Sequence, residues 1–337
     1  MRPHEPGMQT VVVIGSNSFS GQDFVDLLLE EGRFRVIGVS RSAEKSDLFL
    51  SYKRRSNLDR FEFHRMDLNE DHVALFRLLE AHEPPYVVNF ASQSEVAPSW
   101  IHPEQWFETN AVAVARVGNF LRDRAWLRRY VHISTPEVYG SVSGLVREDA
   151  PMNPSTPYAA SRAAAEMMLN TLVRSFDFPA VFVRSSNVYG AHQQLWKIIP
   201  RTAIYIRQGK ILELHDGGRQ IRSFIHIRDV SRGELAAMEN GRDGEAYNLS
   251  PGRGRELREV VAMVCEELGA ELGAVTRDAG ARTGHDAVYE LDSSKARAEL
   301  GWEPRVGLAG GIGAVVEGID ESWAQIQREP LEYVHKP

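Results

Sequence analysis

The chain has 337 residues, 43% hydrophobic and 25% charged, the balance of an ordinary folded protein with room for one large domain or two modest ones. Its 39 lysines and arginines against 46 acids leave a net charge of −7, so no basic stripe is expected for nucleic acid or an anionic membrane. Cys265 is the only cysteine, which excludes an intramolecular disulfide and a thiolate-built metal site. The first ten residues lack a signal-peptide core and no apolar run is long enough to span a bilayer, so the expectation is a soluble, cytoplasmic protein.

Val11-Val12-Val13-Ile14 is a continuous apolar run ending at Gly15, the pattern of a strand buried on both faces of a parallel sheet. Phe24, Leu27 and Leu28 then follow helical spacing as far as Glu31, and Gly32 punctuates the end. A second strand is predicted at Phe34–Val39 and a helix around Val73, Phe76 and Leu79. Strands at 86–91, 130–134 and 181–184 alternate with helices near 104–124 and 158–176. Such alternation implies right-handed crossovers and an α/β fold with a doubly wound, Rossmann-type parallel sheet over residues 8–185. After residue 187 the segments shorten and glycines mark turns. Short strands are predicted at 211–215 and 245–249, a helix at 255–268, and an N-cap at Asp292-Ser293-Ser294. Residues 186–330 therefore read as a smaller α/β substrate lobe, with segments returning to the first domain.

The loop after the first strand reads Gly15-Ser16-Asn17-Ser18-Phe19-Ser20-Gly21 and runs straight into a helix. Small residues let the backbone approach a pyrophosphate, and the helix N-terminus offers free N–H groups; an ordinary tight turn is the competing reading. The second strand ends Ser40-Arg41, where an NAD site usually carries a carboxylate for the ribose 2′-hydroxyl. Arginine suits a 2′-phosphate, so NADP is the expected cofactor and NAD the alternative, unless Arg41 is merely exposed. Tyr158 and Arg162 lie one turn apart on a predicted helix, where a fixed cation favours the phenolate and readies it as a base. Thr135 lies after an earlier strand and could hold the same substrate oxygen. The histidines show no ligand spacing, and no metal is expected.

Taken together, the glycine loop, Ser134-Thr135-Pro136-Glu137-Val138-Tyr139-Gly140, the Tyr158/Arg162 pair and Asn187-Val188-Tyr189-Gly190 resemble the extended short-chain dehydrogenase/reductase family. Gln220-Ile221-Arg222, 282–286 and Leu300-Gly301-Trp302 add to the likeness. Over residues 10–325 the chain is similar to the nucleotide-sugar 4,6-dehydratases, the dTDP-glucose and GDP-mannose enzymes in particular. The resemblance implies that Tyr158 takes the C4 hydroxyl proton as hydride leaves C4. Glu137 then removes the C5 hydrogen as the C6 hydroxyl departs as water, giving a 4-keto-6-deoxy sugar. A glutamate that only caps its neighbours is the alternative for Glu137. The chain departs from the family at Arg162 (lysine elsewhere), at Pro136 (an aspartate in the dTDP-glucose enzymes), at Ser18 (a glycine) and at Glu95 (often a histidine).

The same resemblance places Asp67, Leu68 and Ala91 on the cofactor, although a loop-capping aspartate is an equal reading for Asp67. It places Gln93, Ser94 and Glu95 on the hexose, and Asn187, Arg222 and Arg282 on the diphosphate; a surface ion pair is the plain reading for each arginine. Trp196, Lys197 and Leu212–Leu214 are candidates for the nucleobase. The partner implied is a nucleoside diphosphate sugar. The competing functions are a nucleotide-sugar epimerase or decarboxylase, or a non-catalytic NADP-binding regulator. Two helices carrying Val112, Val114, Val117, Met167, Met168 and Leu172 suggest a homodimer about a two-fold axis.

Overall fold

In the computed structural model, which describes residues 7–142, 144–280 and 290–336, the first apolar run becomes β1 (Gln9–Ile14), with Val11, Val12 and Val13 fully buried. Helix α1 (Phe19–Glu31) starts at Ser18, whose hydroxyl accepts the Gly21 N–H, and stops at Gly32 in the left-handed conformation. Next come β2 (Phe34–Ser40), β3 (Phe61–Arg65), α2 (His72–His82) and β4 (Tyr86–Asn89). The short α3 (Val96–Ser99) leads to α4 (Pro103–Phe107), and a π-helical turn at Glu108–Val112 carries the chain into α5 (Ala113–Leu121). Then follow β5 (Arg129–Ile133), β6 (Leu145–Val146), α6 (Pro157–Phe176) and β7 (Ala180–Ser185). The chain goes on through β8 (Asn187–Tyr189), α7 (Ile198–Arg207), β9 (Leu212–Leu214), β10 (Ile221–Arg222), β11 (Phe224–His226), α8 (Ile227–Asn240) and β12 (Ala246–Leu249). Next are β13 (Arg255–Glu256) and α9 (Leu257–Glu267), and helices at Ser294–Leu300 and Leu308–Glu321 follow.

Seven strands form one parallel sheet in the order β12-β7-β5-β4-β1-β2-β3, a doubly wound α/β architecture. The chain starts in the middle, winds outward through β2 and β3, then crosses back to β4. The reversal between β1 and β4 opens a crevice at the carboxyl ends of the strands. Ile14 pairs with both Val39 and Asn89, so the loops after β1, β2 and β4 emerge side by side. One face of the sheet is covered by α1 and α8 through Phe24, Leu28 and Met238, the other by α2, α5 and α6 through Leu79, Val117 and Leu169. A third core joins Ile204 of α7, Val260 and Val264 of α9, and Ile312 and Val316 of the helix Leu308–Glu321.

Several expectations need correction. Strand β3 was not anticipated: it is a sheet edge whose Phe61 and Phe63 are only partly buried, so it lacks a continuous apolar run. The segment Ser134–Gly140 therefore follows the fifth strand, and Gln93 the fourth. The helix predicted from Arg255 begins at Leu257, because Arg255 and Glu256 pair with β10. Val114, Val117 and Leu172 lie in the core against the sheet rather than on an outer face, and Met168 packs on that core. Val112 and Met167 are exposed, as are Phe107 and Phe176. Ser293 precedes the helix at 294 as expected, but it is Asp292 whose carboxylate accepts the Ser294 N–H. Among the described residues, no helix is long and apolar enough to cross a membrane.

Candidate active site

The crevice is a cleft of about 540 Å³, the size of a small-molecule site. Gly15 makes its floor. With φ +86° and an added Cβ only 2.6 Å from the Ala91 nitrogen, the position admits no side chain, so the loop after β1 lies flat against the end of β4. Asn17, Ser18, Phe19 and Ser20 line the cleft above it; Gly21 sits behind them, where a Cβ would press on the Gly15 carbonyl at 2.3 Å. Ser40 and Arg41 lie at the end of β2, and the Ser40 hydroxyl accepts the Asn17 N–H at 3.0 Å, tying the glycine loop to that strand. Asp67, Leu68 and Ala91 complete this end. The Asp67 carboxylate accepts the Asn69 N–H at 2.9 Å, so the residue caps its loop and lines the cleft at once. Ser16 Oγ and Asn17 Oδ1 are buried with no partner among the described residues. A cradle that a Cβ would fill, a helix N-terminus and unpartnered polar atoms together fit a dinucleotide.

The four catalytic candidates meet at the other end. Thr135 begins a 3₁₀ turn, Pro136–Tyr139, and its hydroxyl accepts the Glu137 N–H at 3.2 Å. The same hydroxyl hydrogen-bonds the phenol of Tyr158. Tyr158 stands in the first turn of α6, capped by Thr156, and its own N–H donates to Ser99 Oγ at 3.2 Å. Tyr158, Arg162 and Glu166 succeed one another along one buried face of α6. Glu166 is wholly buried and accepts from Arg184 of β7 and from Ser134 at the end of β5, so an ion pair and a hydroxyl lock α6 onto two strand ends.

Burial pushes the Tyr158 phenol up to about 12; the Arg162 charge pulls it the other way, while Glu137 and, more weakly, Glu95 add to the rise. Burial likewise holds Arg162 below its usual range, against the pull of Tyr158 and Glu166. Arg162 Nε and Nη1 are buried without a partner among the described residues. His132, beneath this group in β5, is held well below its ordinary value by burial and by the Arg162 and Arg184 charges, and so stays neutral.

Gln93, Ser94, Glu95 and Asn187 line the cleft, as do Trp196 and Lys197. Arg222 does not line it: the residue sits on β10, where it donates to the Ile221 carbonyl at 2.8 Å. Leu212 and Leu214 also lie elsewhere, packed with Val261 and Cys265 in a small separate core. Arg282 lies outside the described residues. Among the lining residues that the sequence reading did not single out are Thr109, Gln193, Gln194, Lys45, Tyr333 and Lys336. The Lys336 carbonyl accepts from Arg41 at 2.9 Å and from Gln93 at 2.8 Å, although no local pattern announces a segment so distant in sequence. Among the described residues, no group of three histidines, cysteines or carboxylates could hold a metal.

The model of the family described as GDP-mannose 4,6 dehydratase matches residues 12–315. A dTDP-glucose 4,6-dehydratase of Xanthomonas campestris pv. campestris is 30% identical, over 94% of this chain and 95% of the relative. The crystal structure of a dTDP-glucose 4,6-dehydratase from Streptomyces venezuelae, with NAD and TYD bound, superposes with a TM-score of 0.87 at 29% identity, covering 94% of this chain and 98% of that one. A UDP-glucuronic acid 4-epimerase from Bacillus cereus, in complex with UDP-glucuronic acid and NAD, gives 0.83 at 25% identity over 93% and 99%. With a glycine cradle and a Thr–Glu–Tyr–Arg group at one cleft, the chain belongs to the GDP-mannose 4,6 dehydratase family, the nucleotide-sugar 4,6-dehydratases of the extended short-chain dehydrogenase/reductase fold.

Proposed function

We propose that this enzyme dehydrates a nucleoside diphosphate hexose to its 4-keto-6-deoxy product, with dTDP-glucose the first substrate to test. The convergence of Thr135, Glu137, Tyr158 and Arg162 at one end of the cleft carries this reading. An epimerase needs one base at C4, whereas elimination needs a second group at C5, and Glu137 is that group. A dinucleotide held by the Gly15 loop, Ser40 and Arg41 would supply the hydride acceptor for oxidation at C4 and the donor for reduction at C6. Tyr158 accepts the C4 hydroxyl proton, with Thr135 holding the same oxygen and Arg162 favouring the phenolate. Glu137 takes the proton from C5, now acidified by the ketone, and passes it to the departing C6 hydroxyl, which leaves as water. Pro136, at the first position of the turn, has no proton to give, and in this reading Glu137, rather than a water or another group, serves as both base and acid.

Residues 8–185 bind the dinucleotide in this reading and 186–330 chiefly the nucleotide sugar, with β12 returning to the sheet. Gln93, Ser94 and Glu95 contact the hexose and Asn187 the diphosphate. The cofactor is NADP: β2 ends in Ser40-Arg41 without a carboxylate, although the solved relatives described above carry NAD. Exposed Phe107, Val112, Met167 and Phe176 on α4–α6 support a homodimer of a cytoplasmic enzyme. Light scattering that finds a monomer at micromolar concentration refutes the dimer.

The deciding experiment is incubation with dTDP-, GDP-, UDP- and CDP-hexoses, the products weighed by mass spectrometry. Loss of one water supports the dehydratase; loss of carbon dioxide, or no change of mass, opposes it. Titration with both dinucleotides tests the cofactor. NADP should bind more tightly, and Arg41→Ala should remove about 1–3 kcal/mol of the difference. Equal affinities in the unmodified enzyme refute it.

A further inference from the structure

Five basic side chains line the cleft among the described residues: Arg41, Lys45, Arg162, Lys197 and Lys336. Arg41 and Lys336 meet at the β2 end, and Lys45 donates to the Asn17 carbonyl there. Arg162 lies beneath Tyr158. Lys197 is bound to a carboxylate that also lines the cleft: its ammonium donates to Glu95 Oε1 at 2.7 Å, and the Trp196 indole N–H reaches the same oxygen at 3.3 Å. Glu95 Oε2 takes no hydrogen bond among the described residues. The carboxylate is held firmly. Glu95 immediately precedes α3, and Ser99 at the end of that helix donates to Val96 and accepts from the Tyr158 backbone, so α3 is tied to the start of α6. Trp196 is braced in turn by the ring of Tyr333, 5.7 Å away.

We propose that the Glu95–Lys197 pair is a specificity device that admits uncharged sugars and rejects those with a carboxylate at C6. The proposal rests on the nucleotide-sugar reading given above. The reacting end of the cleft already holds two carboxylates, Glu95 and Glu137, both close enough to Tyr158 to bear on its phenol. A uronate would add a third negative charge in a partly enclosed site, where like charges repel strongly. Lys197 could have offset it, but Glu95 holds the ammonium. The open Oε2 accepts sugar hydroxyls, which a neutral hexose supplies. A cleft of the same fold that receives glucuronic acid, as in the Bacillus cereus epimerase, must meet the opposite demand. The pair thus separates this chain from its uronate-handling relatives by charge rather than by shape.

The test is calorimetric titration of the full chain with two sugars on the nucleotide that the substrate panel identifies. One is the xylose derivative, which has no C6 and cannot be dehydrated; the other is the glucuronate derivative. The unmodified protein should bind the pentose at least about tenfold more tightly. Glu95→Gln should free Lys197 and close that gap to about threefold or less, or reverse it. Lys197→Gln should widen the gap, because Glu95 is then unopposed. The second variant decides the matter should the first fail to fold. Equal binding of both sugars by the unmodified protein, or a ratio that neither substitution moves, overturns the proposal and leaves the dehydratase reading intact. Failure of every nucleotide sugar in the panel to bind overturns both.

Discussion

Removing the positive charge at position 162 should slow the enzyme and steady its fold at once. Arg162 is 3% exposed, so water screens its effect on Tyr158 very little. The phenol lies near 12 even with the arginine in place, because burial outweighs the charge, so little of it is phenolate near neutral pH. A close opposite charge lowers a titrating group by roughly 1–3 units, so Arg162→Met should cost about 10- to 1,000-fold in kcat/KM at fixed pH, or ~1.4–4 kcal/mol. Because a base that titrates near 12 leaves the rate still rising through neutral pH, the ascending limb of the pH–rate profile, read from product mass between pH 6 and 10, should move toward alkali by the same interval. Arg162→Lys keeps the charge and should recover most of the loss. Stability should move oppositely. Two guanidinium donors are buried without partners among the described residues, and deleting such groups relieves about 1–3 kcal/mol, raising Tm by roughly 2 °C or more. A methionine variant within twofold of the original rate at every pH would falsify the electrostatic role. A lysine variant as slow as the methionine one would mean that the planar guanidinium, not its charge, is what matters.

Glu137→Gln should still bind substrate, yet exchange of the C5 hydrogen with solvent and product formation should fall about 100- to 10,000-fold; Tyr158→Phe should instead stop the first oxidation, and near-normal turnover by the glutamine variant refutes elimination through Glu137. Gly15→Ala drives a methyl into backbone atoms of Phe90 and Ala91 that cannot give way, so dinucleotide affinity measured by titration should drop about tenfold or more; unchanged affinity shows that the loop does not cradle the cofactor. Glu234 on α8 is wholly buried with both oxygens unpartnered among the described residues, and burial, with help from Asp23, raises its carboxyl well above the ordinary value. Because the folded value is raised, the folded state is favoured below the unfolded value of about 4.3, and stability is lost as pH rises from there toward the folded value. Glu234→Gln should therefore raise Tm at pH 7–8 and make no difference near pH 4, and an equal gain at both values contradicts this.

Elements buried on both faces announced themselves in the sequence, because a strand such as Val11–Ile14 has no polar positions to confuse its period. An edge strand does not, which is why Phe61–Arg65 escaped. The proposed catalytic residues could be located from sequence because each sits beside a boundary that sequence can find: Thr135 just after β5, Glu137 in the turn that follows, Tyr158 and Arg162 in the first turns of α6. Residues placed by the resemblance on short, irregular segments fared differently. Arg222 and Leu212–Leu214 belong to two-residue and three-residue strands whose direction depends on partners far along the chain. Tyr333 and Lys336 reach the cleft only because the chain returns across it, and no local periodicity encodes such a return. Glu166 and Arg184 illustrate a further limit. Each reads as an ordinary charged residue, and only the packing of α6 against β5 and β7 reveals a buried pair.

One of the two edge strands of the main sheet, β12, is made some sixty residues after its neighbour β7, and α8, which covers α1, is made in the interval. During synthesis the first 185 residues thus emerge with the β7 edge unpaired and one side of α1 bare, a state open to strand addition by another chain. The nucleotide-binding half should for the same reason resist being excised: a fragment ending near residue 185 should aggregate or stay molten, whereas one extended through residue 249 brings both the missing strand and its covering helix. Anyone dividing this protein for fusion, complementation or transplantation should place the cut by sheet closure, not by the point where the sequence changes texture.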